Sequence, residues 1–534
     1  MKRIFLFLIV VLGINLSAEK LPDNIYFRAM NDEMQRSKKQ LRIKDNAKPL
    51  YIGYAVRTTP SQTFSAAMGS LWPYQDPTKS TVNPQVSVYM YSGDVQNNSS
   101  GYKPEGGVYV AQVSTQDSYE SLRNALWRLS DAEYISSSKL AEEKAAVKQK
   151  MQEGNFEPEF SKAPAAHFVE PIASFVPRNP AIYQPLVQAL SAEGNKYPYI
   201  EMYTASISFS QRNRYFLDSE GNFFQRGIAE NIVSFAAEFR NKDGYKINQL
   251  RSYPLPIDES KIEAFVREKS AEFLQNVVLS YSAQKAEFYA GPVLLKPAAA
   301  SFFLSVLFTS NIIQTKATLA PSGYKSINQL VHKINHRIMT PVLEVFDRPM
   351  ERSFNGFVLR GFTPVDDEGV APKPLHIIEG GKLKELPTVR SLIKGQKQSN
   401  GHALRMGSSY PVAYYTNLFF EPTRPLTATQ LEQKLLELCR EQELEYCYII
   451  HQGEGVSGLA EKIYVSDGHK EPVYGFTMQI SSDQMRPLRD IVAAGDDATL
   501  VGSYDRVVPS LLVNDMELLP IEKKPDRKPF VKKP

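Results

Sequence analysis

The stretch Tyr289-Ala-Gly-Pro-Val-Leu-Leu-Lys-Pro-Ala-Ala-Ala-Ser-Phe-Phe-Leu-Ser-Val-Leu-Phe308 contains the most apolar helix that the sequence predicts. Val293, Leu294 and Leu295 form a short apolar strand after a Gly-Pro turn. Residues 297–308 then predict a helix, in which Pro297 is tolerated because the first-turn N–H has no helical partner. Since the strand leads directly into this helix, we expect the helix to pack inside or against a sheet.

The remainder of the chain consists mostly of short apolar runs separated by turn residues. These runs lie at residues 342–346, 356–359, 375–378, 383–385, 413–421, 445–450, 461–464, 472–480 and 499–503. A helix at residues 427–443, with Thr427 as its N-cap, interrupts the series. The pattern predicts that residues 251–518 form a mainly antiparallel, strongly curved β-sheet domain with the Ala-rich helix buried in it.

Residues 24–250 predict a separate N-terminal α+β domain, so the fold class of the whole chain is α+β. Helical spacing covers residues 24–42 and 118–150, and a further helix covers 259–282. The turns Asp218-Ser-Glu-Gly221 and Asn241-Lys-Asp-Gly244 lie between alternating segments and predict two hairpins. Residues 155–185 are rich in Pro, Phe and Ala without a period, which predicts a connection along the surface.

Both ends of the chain have segments that stand apart from the folded domains. Residues 1–18 combine Met1-Lys2-Arg3, an apolar run and Leu16-Ser17-Ala18, which predicts a signal peptide and export, with the periplasm as the expected compartment. The alternative is an uncleaved anchor, but the run is shorter than the ~20 residues of a membrane-spanning helix. Residues 519–534 form a basic, Pro-rich tail that we expect to be disordered and solvated, or else in contact with anionic lipid.

Composition excludes several classes of protein. The chain has 43% hydrophobic and 22% charged residues, as in an ordinary globular protein, and its formal net charge of +4 is too small to indicate nucleic-acid binding. Only Cys439 and Cys447 are present, so disulfides do not build the framework. Both cysteines have the pattern of small buried hydrophobes, and a bridge between them is the alternative.

The sequence contains no standard motif for metal, phosphate or serine chemistry: H-E-x-x-H, a P-loop and G-x-S-x-G are all absent. His332 and His336 stand four residues apart, which would place both on one face of a helix. They are candidates for a metal pair, or else part of a solvated face, because no third ligand is near in sequence. Asp366-Asp367-Glu368-Gly369 is typical of a tight turn, with an exposed calcium site as the alternative.

An ordered set of segments resembles the TldD/PmbA family of metallopeptidases, once described as modulators of DNA gyrase. The set comprises Tyr289 to Ala300, the Asp218 and Asp366 turns, Pro341-Val-Leu-Glu-Val-Phe-Asp347, Ile378-Glu-Gly-Gly-Lys-Leu383, Ser399-Asn-Gly-His402 and Pro509-Ser-Leu-Leu-Val-Asn-Asp-Met-Glu-Leu518. Ser121-Leu-Arg-Asn-Ala-Leu-Trp127 is similar to the exported branch of that family.

The resemblance implies where a zinc site would lie. Active members continue the apolar strand into H-E-x-x-x-H, and the corresponding positions here are Lys296, Pro297 and Ser301. Active members also supply a cysteine ligand ahead of the last strand, whereas residues 493–508 contain none. Lysine, proline and serine are poor replacements for imidazole ligands and a carboxylate base, and without zinc the attacking water would keep a high pKa. We therefore expect no catalytic residues and no cofactor in the isolated chain.

The resemblance leaves two hypotheses about function. In the first, the chain is a non-catalytic, PmbA-like subunit that forms a homo-oligomer or a heterodimer with a zinc-bearing paralogue. It would then bind extended peptides by strand addition, and zinc would be present only in the partner. In the second, the chain is an active metallopeptidase that hydrolyses unfolded peptides through a rebuilt metal site. We expect neither nucleic-acid binding nor a transmembrane segment in the mature chain.

Overall fold

The structure is a computed structural model. It describes residues 20–42, 46–74, 82–102, 112–151, 158–313, 318–320, 323–325, 329–392, 396–405, 410–453, 455–482, 485–502 and 505–522. The predicted signal peptide and residues 523–534 of the predicted tail lie outside the described residues. Within the described part of the chain, no helix combines the length and apolar character that crossing a bilayer requires.

The N-terminal part contains one large sheet. Its strands are β1 (Pro49–Thr58), β2 (Ser61–Ala67), β3 (Ser70–Leu71), β4 (Gln85–Ser92), β5 (Gln112–Ser114), β6 (His167–Val169), β7 (Ile200–Asp218), β8 (Phe223–Ala229), β9 (Ile232–Arg240) and β10 (Lys246–Pro254). The main order is β10-β9-β7-β1-β4-β5. The central strand β7 pairs with β9 and β2 along its first half and with β8 and β1 along its second. Both predicted hairpins are confirmed, as β7–β8 and β9–β10.

Four helices cover this sheet: α1 (Ile25–Gln40), α2 (Tyr119–Lys150), α3 (Pro180–Ala192) and α4 (Ile262–Ser282). The α2 helix begins where the Ser118 hydroxyl accepts a hydrogen bond from the N–H of Ser121, which satisfies a free amide of the first turn. The α1 and α2 helices pack on β1 and β4, and α3 and α4 pack on β2, β7 and β9. Residues 155–185 were predicted to be a connection along the surface. This prediction was wrong for the last residues of the segment, because α3 begins at Pro180 and continues through Pro185.

The C-terminal part is built from two further sheets and three short ribbons. Its strands are β11 (Gln284–Lys285), β12 (Tyr289–Leu295), β13 (Thr318–Ala320), β14 (Gly323–Lys325), β15 (Leu343–Asp347), β16 (Ser353–Phe354), β17 (Phe357–Val358), β18 (Leu375–Glu379), β19 (Lys382–Leu383), β20 (Ala403–Leu404), β21 (Val412–Ala413), β22 (Leu418–Pro422), β23 (Tyr446–Gln452), β24 (Gly455–Tyr464), β25 (Lys470–Met478), β26 (Ile491–Ala494), β27 (Thr499–Val501), β28 (Arg506–Val508) and β29 (Leu511–Pro520). The larger sheets have the orders β11-β25-β24-β23-β12-β29-β26 and β19-β18-β15-β22-β28-β27. Most pairs are antiparallel, as predicted.

The apolar helix lies in the core between these two sheets. It comprises α5 (Pro297–Leu304), a π-helical turn (Ser305–Thr309) and α6 (Ser310–Ile312), so it extends four residues beyond the predicted end at 308. Ala299, Phe303 and Leu307 contact one continuous cluster with Leu343 of one sheet and Ile450 of the other. The prediction that this helix packs against the sheet is therefore confirmed, and so is the α+β fold class.

Two of the predicted turns contact each other and connect the N-terminal sheet to the C-terminal part. The Asp218 carboxylate accepts hydrogen bonds from the N–H groups of Glu220 and Asn222, and the Asp366 carboxylate accepts from those of Glu368 and Val370. Gly369 of the second turn lies directly against Asp218. Burial raises the pKa of Asp218 to about 6, while hydrogen bonds from Asn222 act in the opposite direction. The Asp366 segment is a tight turn as predicted, but it is buried.

Arg390 reinforces the same junction. Its side chain is completely buried, and its guanidinium forms two hydrogen-bonded contacts with the Glu220 carboxylate, at 2.8 and 2.9 Å. Its Nε donates to the carbonyl of Ser161 at 2.8 Å, and its guanidinium carbon lies 4.4 Å from the ring centroid of Phe160. A single side chain thus links the C-terminal part to two segments of the N-terminal part.

The helix α7 (Ala428–Glu441) covers the outer face of the seven-stranded sheet and begins with the predicted Thr427 cap, here a full capping box with Gln430. Leu431, Leu435 and Cys439 face the sheet, as their spacing predicts. Cys439 and Cys447 are joined by a disulfide, so the bridge that the sequence left open is present.

The Cys439–Cys447 bridge should contribute about 2.5 kcal/mol to the free energy of unfolding, because it closes a short loop in the unfolded chain. Denaturant unfolding of the oxidised and the dithiothreitol-treated protein measures this difference. A variant with both cysteines replaced by alanine is the control, since its stability should not respond to the reductant. Equal stability of the oxidised and reduced wild type would contradict the prediction.

Candidate functional site

The junction of β12 and α5 is where the resemblance implies a zinc site. The parallel pairing of β12 with β23 sets Leu295 beside Ile450, and the N–H of Lys296 donates to the Ile450 carbonyl at 2.9 Å. Lys296 is the N-cap of α5 and makes no side-chain capping bond, Pro297 occupies the first turn, and Ser301 is buried. The three positions thus have a defined structural role in starting a buried helix.

An arginine occupies the neighbourhood of Ser301. Arg506, at the start of β28, donates from Nη1 to the Ser305 hydroxyl, and that hydroxyl donates to the Ser301 carbonyl at 2.6 Å. Arg506 also lies 3.5 Å from the carboxylate of Asp505. It belongs to residues 493–508, the segment from which active family members supply a cysteine. The positions that correspond to the family's ligands thus hold a lysine, a proline and a serine, with Arg506 close by. An ammonium, a guanidinium and a hydroxyl do not fit a zinc ion, which binds imidazole, thiolate and carboxylate.

A histidine–carboxylate pair lies at the end of the neighbouring strand. His451 Nε2 lies 2.6 Å from Glu461 Oε2. The hydrogen bond from His451 lowers the pKa of Glu461, and the charges of His451, Lys470 and Lys296 lower it further. No sequence pattern indicated this pair, because the two residues meet only through the β23–β24 register. Each group satisfies the other, and the described residues contain no group of three or more potential metal ligands.

The structure does not place His332 and His336 on one face of an α-helix. A 3₁₀ helix, Gln329–Lys333, ends between them, and Asn335 has a left-handed backbone with φ of 65°. Both imidazoles are exposed. The helical geometry that made them candidates is absent because the segment turns sharply at Asn335.

A groove follows the outer edge of β2, and we call it the β2 groove. It has a volume of about 450 Å³ and is lined by residues that include Ser61, Thr63, Trp72, Arg57 and Gln85. The other edge of β2 pairs with β7 along its whole length, whereas β3 pairs only with Ala66 and Ala67. In the described part of the chain, residues 61–64 therefore have a strand partner on one side only, which leaves backbone groups for a further strand.

A smaller cavity of about 80 Å³ adjoins this groove, and we call it the arginine cavity. Its lining includes Arg57, Arg212, Arg214 and Arg405, and Arg57 and Gln85 line both the cavity and the groove. Sequence reasoning missed it because these arginines are far apart in the chain. Only the register of β1 and β7 shows that these arginines are neighbours.

Comparisons with known proteins agree with this fold. Residues 289–519 match the family model described as the PmbA/TldA metallopeptidase C-terminal domain. TldE from Thermococcus kodakarensis has a TM-score of 0.59 at 12% identity, over 92% of this chain and 100% of that chain. A protein described as a modulator of a DNA gyrase from Thermotoga maritima MSB8 has the same TM-score and coverage at 15% identity. A protein so described from Bacteroides thetaiotaomicron VPI-5482 has a TM-score of 0.58 at 16% identity, over 92% of this chain and 99% of that chain. No curated protein sequence matches.

Fold and match together define the class of protein: a two-part α+β chain whose C-terminal part is a metallopeptidase-type domain. Residues 289–519 belong to the TldD/PmbA family. The resemblance stated from the ordered sequence segments is thereby confirmed at the level of the family.

Proposed function

We propose that this protein is a non-catalytic, PmbA-like member of its family that binds extended peptides and carries no zinc site of its own. The proposal rests on the side chains at the β12–α5 junction, where a zinc peptidase would have its ligands. Here Lys296 and Arg506 are cationic and Ser301 is buried. A cation repels a metal ion, and neither side chain offers a free lone pair at neutral pH. Without a bound metal ion, water at this place would not have its pKa lowered to near neutrality as in zinc hydrolases.

Peptide binding is assigned to the β2 groove. An extended segment that lies along residues 61–64 would hydrogen-bond to the open edge of β2, as in recognition by strand addition. The hydroxyls of exposed Thr63 and half-buried Ser65 hydrogen-bond to Ser208 and Ser206 and give this face a polar surface that accepts varied side chains. The protein would act on peptides by holding them, alone or beside a catalytic subunit.

The proposed assembly is a homo-oligomer or a heterodimer with a zinc-bearing paralogue, and the proposed compartment is the periplasm. One of the structural neighbours is named TldE, which supports a partnership of the TldD/TldE kind. The Cys439–Cys447 disulfide suits an oxidising compartment. Fractionation of cells that produce the full chain tests the compartment, and affinity capture from that fraction tests the partner: a co-purifying homologue with H-E-x-x-x-H supports the heterodimer, and its absence supports the homo-oligomer.

The protein purified without residues 1–18 should contain far less than one zinc per chain and should not cleave unfolded peptides, because its donor set does not fit the ion. Elemental analysis and a peptide cleavage assay with and without chelator measure both properties. Stoichiometric zinc together with chelator-sensitive cleavage would contradict the proposal and support the alternative, an active metallopeptidase with a rebuilt site.

Two histidine variants make this test specific. His451→Ala removes the imidazole nearest to the junction, whereas His376→Ala breaks an equally short histidine–glutamate contact, 2.6 Å, on the other sheet. If an activity depends on a site rebuilt around His451, only the first variant should lose it. Loss in both or in neither would exclude His451 as a ligand.

A further inference from the structure

Three arginines stand side by side across three adjacent strands. The antiparallel registers set Arg57 of β1 opposite Arg214 of β7, and Arg214 opposite Arg226 of β8. Arg212 lies two residues before Arg214 and therefore on the same face of the sheet. Like charges directly opposite each other destabilise a sheet. The row costs folding free energy, which points to a role other than stability.

Carboxylates and neutral groups both contact the described part of this row. Asp367 forms an ion pair with Arg214, and Glu230 lies 2.9 Å from Arg212 and also from Arg360. The remaining contacts of Arg57 and Arg405 include neutral groups: Arg57 Nε donates to Gln85 at 3.0 Å, and Arg405 Nη1 donates to Ser87 at 2.7 Å.

Burial and the neighbouring arginines also affect the pKa values of the row. Burial lowers the pKa of Arg226, and Arg214 and Arg212 lower it further. Burial, opposed by Glu230 but assisted by Arg214, lowers the pKa of Arg212 to about 10. In both cases burial is the main cause, and the neighbouring arginines act in the same direction.

The arginines surround a space that suits a small anion. The arginine cavity of about 80 Å³ lies between Arg57, Arg212, Arg214 and Arg405. It exceeds the share of liquid volume of one water molecule, about 30 Å³. In the described structure the buried Nε–H of Arg212, a residue of the cavity lining, has no hydrogen-bond partner. This N–H group can donate to a bound anion.

We infer that the arginine cavity binds the terminal carboxylate of a peptide that lies in the β2 groove. The inference rests on the proposed function. Arg57 and Gln85 line both spaces, so the groove and the cavity adjoin at these two side chains. A guanidinium binds a planar carboxylate with two parallel hydrogen bonds, and every unmodified peptide ends in that group. The groove supplies affinity through the backbone, and the cavity fixes which end of the peptide lies at β1.

The fluorescence of Trp72 gives a direct measurement, because this residue lines the groove and is 54% exposed. The chain has two tryptophans, so the substitution Trp127→Phe on the exposed side of α2 leaves Trp72 as the single tryptophan. The test compares one unfolded peptide with a free carboxylate and the same peptide with an amidated C-terminus. We expect the free acid to bind at least about tenfold more tightly, since charge-assisted hydrogen bonds are lost in the amide.

Arg57→Gln should abolish the preference for acid over amide, taken as the ratio of the two affinities within that variant. Arg57→Lys should retain part of the preference, because lysine keeps the charge but cannot form two parallel hydrogen bonds. Arg128→Gln, on the exposed surface of α2, is the matched control and should change neither affinity. The comparison of acid and amide on the protein with all its arginines does not depend on whether an arginine variant folds.

The outcomes separate the inference from the proposed function. Equal affinity for acid and amide would overturn the carboxylate site and leave peptide binding in the groove intact. No change in Trp72 emission with either peptide would overturn both. A tenfold preference that persists in Arg57→Gln would place the carboxylate elsewhere and also overturn the inference.

Discussion

Replacement of Arg390 by methionine should lower the free energy of unfolding by about 2–4 kcal/mol, because charge-assisted hydrogen bonds of a completely buried guanidinium are lost, while the Glu220 carboxylate, 36% exposed, can be solvated. The Glu220 carboxylate would lose both of its guanidinium bonds, and the Ser161 carbonyl would lose the donor at 2.8 Å. Methionine fills much of the space beside Phe160, so the effect reports lost hydrogen bonds more than a cavity. Denaturant unfolding followed by circular dichroism measures the change.

Arg486→Met is the matched control, because it removes the same group from a side chain that is 81% exposed and has ion-pair distances of 3.8 Å. Surface pairs of this kind contribute little, and the control should stay within about 0.5 kcal/mol of the wild type. Similar losses in both variants would show that burial of Arg390 does not determine its contribution.

The sequence predicted those parts of the fold that depend on local chemistry. The cap of α7 at Thr427 follows from a side chain that satisfies a free amide of the first helical turn. The turns at Asp218 and Asp366 follow from short polar side chains beside glycine. The helix α3 was missed because Pro180 and Pro185 read as breakers, whereas one proline occupies the first turn and α3 continues through the other.

Features that depend on pairing between distant strands could not be predicted from the sequence. Arg57, Arg214 and Arg226 become neighbours only through two registers, and a shift of one residue in either would separate them. His451 and Glu461 likewise meet across β23 and β24. The positions Lys296, Pro297 and Ser301 were accessible because the strand–helix junction has a sequence pattern of its own. The contact of Arg506 with Ser305 was not, since it joins residues 201 apart.

Gly369→Ala should lower the free energy of unfolding by about 3 kcal/mol, from a strained backbone and a close contact acting together. Gly369 has φ of 75°, and a Cβ there would lie 2.5 Å from Asp218 Oδ2 and 2.7 Å from Asn222 Nδ2. Asn222 would have to move, although its amide donates to Asp218 at 2.8 Å and acts to lower the pKa of that buried carboxyl. The substitution therefore pushes apart the two turns that connect the N-terminal sheet to the C-terminal part. Denaturant unfolding again gives the measurement.

Gly356→Ala separates the two causes. Gly356 has φ of 83°, close to that of Gly369, but a Cβ there meets nothing within 4 Å. This control should cost only the backbone term, about 1 kcal/mol, so the difference of about 2 kcal/mol between the variants measures the contact between the turns. If the two variants lose equal stability, the turns do not constrain each other, and the junction depends on Arg390 and the surrounding aromatic residues alone.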